Sequence, residues 1–191
     1  MKTKKSMKMI ILIIMIITVT ACNQQNNNST VPEKEKSTPD NSIVLSENVD
    51  PGKKIMVSEK LGDLQYGLNM NQVIDIMGTP EKEIENPGDN TGETYYTLKY
   101  PKKGIEIGLL GGEDFSAYVI SIKIKSPCNL KTLKGIGIGS KLDDVRKIYK
   151  DQIDEIESND NFIVVGNISC GMTITLENNI VKEIYIGQGG E

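Results

Sequence analysis

The strongest constraint on how this chain can fold is an internal echo. Gly67-Leu-Asn-Met70-Asn71-Gln72-Val73-Ile-Asp-Ile76-Met77 lies over Gly139-Ser-Lys-Leu142-Asp143-Asp144-Val145-Arg-Lys-Ile148-Tyr149 without a gap. Each string opens on glycine. Apolar residues then fall at the same steps: Met70 and Leu142, Val73 and Val145, Ile76 and Ile148, Met77 and Tyr149. That spacing puts the four apolar positions on one face of a short helix. A repeat of this kind predicts that the same supersecondary unit is built twice.

Both strings also carry helix-start chemistry. Asn69 with Gln72, and Ser140 with Asp143, stand at capping-box spacing, Asp being a shorter arm than the preferred Glu. The first string stops at Gly78-Thr79-Pro80, where glycine can take the left-handed cap and proline blocks continuation. Strand-like runs follow each helix: 93–100, 104–110 and 118–125 after the first, 161–166, 172–177 and 180–186 after the second. In 118–125, Val119, Ser121, Lys123 and Lys125 alternate with Ile120, Ile122 and Ile124. Glu177-Asn178-Asn179 is turn-like. Ile55 to Val57 and the stretch up to Leu64 add an edge strand or a leading helical turn. The expected fold class is α+β: two tandem helix-strand-strand-strand units, 43–130 and 131–191, each an antiparallel sheet with one face under a helix. With no Trp and only Phe115 and Phe162, the core must rest on Ile, Val, Leu, Met and Tyr.

The string from Gly67 to Pro80 resembles the helix signature of the BamE (SmpA/OmlA) and β-lactamase-inhibitor-protein superfamily. There, a Gly-Met-Ser/Thr-x-x-x-Val…Leu-Gly-x-Pro string precedes a small antiparallel sheet. The copy from Gly139 is a degenerate version, with Lys150 in place of the second glycine and no following proline. The resemblance implies tandem repeats over roughly 61–187, in a family of outer-membrane assembly lipoproteins and protein inhibitors. It places none of the family's partner-contacting residues.

The N-terminus points to a compartment. Lys2, Lys4, Lys5 and Lys8 precede an apolar run from Met9 to Val19, broken only by Thr18. As a helix that run spans roughly 16 Å, about half of a hydrocarbon core, so it suits a signal peptide rather than a transmembrane span. Val19-Thr20-Ala21-Cys22 resembles the bacterial lipobox, which implies cleavage between Ala21 and Cys22 and attachment of diacylglycerol to Cys22. Residues 1–21 are then the signal peptide, and 22–42 are a lipidated cysteine on a polar, low-complexity tether. Two acyl chains suffice for lasting attachment, so the expected location is the extracytoplasmic face of the cell membrane. Without the leader, 18 basic residues face 26 acidic ones. That balance argues against binding nucleic acid through its phosphates. The sole arginine, Arg146, among 22 basic residues is a compositional hint toward an AT-rich, Gram-positive source.

The chain contains no His. This removes the commonest general base, zinc ligand and triad member. No metal, cofactor or catalytic residue is expected. Cys128 and Cys170 form a possible disulfide, the other reading being two buried small apolar residues. Closing that loop would stabilise by roughly 4 kcal/mol. Lys134-Gly135-Ile-Gly137-Ile-Gly139-Ser140-Lys141 fits neither phosphate-loop fingerprint and reads as a flexible lead-in to the second helix. Asp151, Asp154, Glu155, Glu157 and Asp160 lack calcium-loop spacing and read as a solvated face. Gly111-Gly112-Glu113-Asp114 reads as a hairpin connection, with Phe115 and Tyr118 as exposed contacts or core residues. Together these point to a membrane-anchored module that binds a protein or an envelope component. The alternatives are a His-free enzyme acting on cell wall or peptide, and a substrate-capture lipoprotein.

Overall fold

The computed structural model describes residues 49–87, 93–111 and 116–189. The signal peptide, Cys22 and the tether lie outside the described residues, as do Gly112 to Phe115. From Val49 onward the described residues belong to one compact unit. They comprise helices α1 (Pro51–Ser58), α2 (Met70–Met77) and α3 (Leu142–Tyr149). The strands are β1 (Lys60–Leu61), β2 (Leu64–Gln65), β3 (Lys82–Pro87), β4 (Thr94–Tyr100), β5 (Ile105–Gly111), β6 (Tyr118–Lys125), β7 (Phe162–Asn167), β8 (Cys170–Glu177) and β9 (Ile180–Gln188).

The fold is α+β, with strands predominating. β1 and β2 form a small hairpin, and the other strands form one antiparallel sheet in the order β3-β4-β5-β6-β9-β8-β7. The boundary expected at 130–131 does not divide this sheet, because β6 pairs directly with β9. The chain also ties across that point: Gly62 donates its N–H to Lys131 O at 3.0 Å, and Leu61 bridges to Thr132. Helix α1 packs on β7 and β8. The earliest described element therefore covers the strands formed last. Of the two readings for Ile55 to Val57, the helical one holds. Asp50 caps α1 by accepting from Gly52 and Lys53, proline fills the first turn, and Ile55 and Met56 are buried. β3 has no counterpart among the strand-like runs of the sequence. Its charged edge and Pro87 blunt it against further strand pairing.

The two glycine-led strings lead into their helices in the same way. Gly67 N donates to Val119 O and Gly139 N to Val181 O, both at 2.9 Å. Val119 N donates back to Leu68 O, and Val181 N to Ser140 O. Met70 N bonds Ala117 O, and Leu142 N bonds Asn179 O. The glycine φ values are +83° and +89°, a region that a side chain disfavours. Each helix is thus stitched to the first residues of the last strand in its half.

Helical phase then decides what is buried. Met70, Val73 and Met77, like Leu142, Val145 and Tyr149, enter one continuous core. Ile76 and Ile148 do not: they are 40% and 37% exposed. At about 100° per residue, position +9 lies well to the side of the line through +3, +6 and +10. Of the four expected positions three therefore face the core, and in α2 Ile74 packs against it as well. Capping also differs from expectation. Asn69 and Gln72 form the full capping box, but α3 begins after Lys141 with no side-chain cap. Ser140 Oγ instead accepts from Gly137 N at 3.0 Å.

The strand pattern is shifted at one place. A bulge at Gly108/Leu109 leaves Ile120 unpaired in β6, so Val119, Ile122 and Ile124 all face the core. The β8–β9 turn matches its sequence, with Asn178 and Asn179 both at positive φ as a tight hairpin requires.

Candidate functional site

All three helices lie on one face of the sheet, and their apolar residues share the single core with the inward strand positions. The other face is largely uncovered, although Val164, opposite Thr173 in the edge strand β7, is fully buried there. Strand register aligns its side chains into rows. One row runs Lys82, Lys99, Glu106, Lys123, Tyr185 and Thr173. Beside it run Lys125, Glu183, Thr175 and Phe162. Two hollows lie along these rows and share Lys123 and Glu183. The first, about 340 Å³, is walled by Phe162, Ile168, Thr173, Thr175 and Tyr185, with Gly171 and Gly187 also lining it. The second, about 270 Å³, holds Lys82, Lys99, Lys123 and Lys125 against Glu106 and Glu183. The open face is thus neutral and aromatic at one end and mainly cationic at the other.

Lys99 and Glu106 pair at 2.9 Å with both side chains partly exposed, a contact worth under about 1 kcal/mol. Tyr185 donates its hydroxyl to Gln188 O, and burial of the ring pushes its pKa up. It is a neutral donor and apolar wall near neutral pH. None of these residues stands out in the sequence as a binding residue. The available signal is outward strand parity, legible only once register joins β6 to β9.

A second polar group sits inside. Glu59, 4% exposed, accepts from Leu133 N at 3.2 Å. The Tyr149 hydroxyl contacts Glu59 Oε1 at 3.3 Å and Thr132 Oγ1 at 2.9 Å. Thr132 Oγ1 also accepts from Ile136 N at 3.1 Å. Lys134 Nζ stands over the Tyr149 ring, 4.6 Å from its centroid. Burial holds the Tyr149 hydroxyl far above its ordinary pKa. The cluster is a structural clasp. It ties the segment after α1, the 131–137 turn and α3 together, and accounts for Tyr149 standing where the first string has Met77.

The two cysteines among the described residues, Cys128 and Cys170, are both free. Cys128 follows the end of β6, where Lys125 pairs with Glu183; Cys170 begins β8, opposite Gln188. Five residues of β9 separate those two levels, roughly 17 Å at strand rise, against the less than about 7 Å between Cα atoms that a disulfide requires. The expected Cys128–Cys170 disulfide is therefore not formed. Cys128 is buried, and burial raises its thiol pKa. Cys170 hydrogen-bonds Asp50 Oδ1 at 3.3 Å; burial first, then this contact, raises its pKa.

The remaining sequence candidates resolve locally. Gly135, Gly137 and Ser140 belong to a hydrogen-bonded turn into α3. Glu155 and Asp160 pair with Arg146, and Asp154 caps its own loop. Tyr118, 38% exposed, meets Tyr66 edge-on at 6.3 Å. Among the described residues no group of acidic and sulfur side chains is arranged to hold a metal ion, and no helix is long and apolar enough to cross a membrane. Comparison with protein-family models, characterised proteins and solved structures gives no match.

Proposed function

We propose that this chain is an extracytoplasmic lipoprotein, cut after Ala21 and lipidated on Cys22, whose folded part is a non-enzymatic binding module. The module presents the open sheet face to a protein or another envelope component. The observation that carries this reading is the one-sided cover of the sheet. Three helices close one face, while two adjoining hollows with aromatic, hydroxyl and cationic walls occupy the other. A concave surface with a few convergent polar groups is a reasonable default binding site. Tandem descent from one BamE-like unit fits the paired glycine turns at Gly67 and Gly139, each held by the same backbone bonds.

Two experiments test the reading. Radioactive palmitate should label the protein in cells and fail to label Cys22→Ser; equal labelling of both would refute the anchor. Purified Cys22→Ser protein should bind isolated cell envelopes. Adding Phe162→Ala and Lys123→Glu, on the open face, should weaken that binding about tenfold while leaving thermal unfolding unchanged. Envelope binding that ignores both substitutions would remove the open face from the function.

A further inference from the structure

Away from the open sheet face, the segment between α3 and β7 displays one apolar side chain to water. Ile156 is 93% exposed, far above Leu133, the next at 58%. Isolated surface hydrophobes are common; what distinguishes this one is the bracing around it. Asp154 Oδ1 accepts from Ile156 N at 3.0 Å and Glu157 N at 3.3 Å. Asp154 N donates to Val164 O at 2.9 Å, and Val164 N donates to Ser158 Oγ at 2.9 Å. Asn159 N donates to Phe162 O at 2.7 Å. The sole arginine reaches over the loop to Glu155 at 3.2 Å and Asp160 at 3.4 Å. The backbone on both sides of Ile156 is therefore fixed, while its side chain touches mainly solvent.

A loop this constrained loses little conformational freedom on docking, and its apolar tip gains by leaving water. We infer that Ile156 is a preformed docking knob for a protein partner, seated in an apolar pocket with a basic rim. The rim follows from charge complementarity. Glu155 and Asp160 keep 67% and 79% of their side chains exposed, and Glu157 is at the surface too. The same acidic surround disfavours insertion into anionic lipid. The knob is a separate surface from the hollows and stands whether or not they bind anything.

The test uses the full-length protein in cells that produce it. A photo-crosslinking residue, p-benzoylphenylalanine, replaces Glu157 and leaves Ile156 in place. A matched control carries it at Leu133. Illumination should give one discrete protein adduct from position 157 and none from 133. Adding Ile156→Ser should reduce the adduct at least tenfold, and Glu155→Lys should reduce it severalfold. Because Ile156 is solvent-exposed, the Ile156→Ser protein should melt like its parent, so a lost adduct reports docking and not misfolding. No adduct from 157, an adduct indifferent to Ile156→Ser, equal adducts from 133, or adducts with lipid alone would each overturn the proposal.

Discussion

The halves led by Gly67 and by Gly139 start alike and are finished differently. In both, a glycine at positive φ turns the chain into a helix stitched to the last strand of its half. α2 is then secured at its start by the reciprocal Asn69–Gln72 capping box, and past its end by the Tyr100 hydroxyl, which donates to Gly78 O at 3.0 Å. α3 has no such cap and is secured at its end, where Tyr149 reaches the buried Glu59 and Thr132. The first half adds β3 at its rim, whereas the second is roofed by α1, drawn from upstream of both. The shared part is what backbone geometry demands; the divergent part is how each helix is held. One way of turning into a helix can thus tolerate different anchors, provided that each helix keeps one.

Substitutions put this contrast at risk. Tyr149→Ala should cost about 3–5 kcal/mol in denaturant unfolding, since it empties a core site and strips the clasp around Glu59. Gly67→Ala and Gly139→Ala should each cost about 1–2 kcal/mol. An added β-carbon would meet nothing within 4 Å at either glycine, so the cost is conformational and should be similar in both halves. Clearly unequal costs would show that the two glycine turns are not equivalent. Asn69→Ala should cost about 1 kcal/mol as its cap is lost. Ile76→Ser and Ile148→Ser should each stay within about 0.5 kcal/mol, because both positions face outward. A large loss at either would restore the wider apolar face. Reductant should leave the melting midpoint unchanged, as no disulfide joins the halves.

Much of the local structure is legible from the residues alone. Helices α2 and α3 announce themselves through Gly67 and Gly139, their apolar steps and, for α2, the Asn69–Gln72 pair. Six strand runs lie close to where alternation puts them. What escapes depends on long-range pairing. The bulge that reverses burial between Val119 and Ile120 is a property of two strands together. The joining of β6 to β9, which carries one sheet across the boundary expected at 130–131, leaves no local trace. The disulfide expectation rests on there being two cysteines, and only the register shows them at opposite ends of the strands. Glu59 carries no signal in the sequence, and only the fold brings Tyr149, 90 positions away, to it. The open-face hollows escape for the same reason: Phe162, Lys123 and Tyr185 converge only across four strands.

The seat of α1 has a consequence for timing. Asp50 is tied to Asn167, 117 positions later, at 3.3 Å. During synthesis α1 emerges long before the strands it roofs. Until they arrive, Ile55 and Met56 have no surface to cover, and isolated eight-residue helices are marginal in water. Completion of this half is therefore postponed until most of the chain is available, a high-contact-order closure that folds slowly and exposes apolar surface meanwhile. A polypeptide truncated before Asn167 should leave α1 unmoored, however complete the earlier strands.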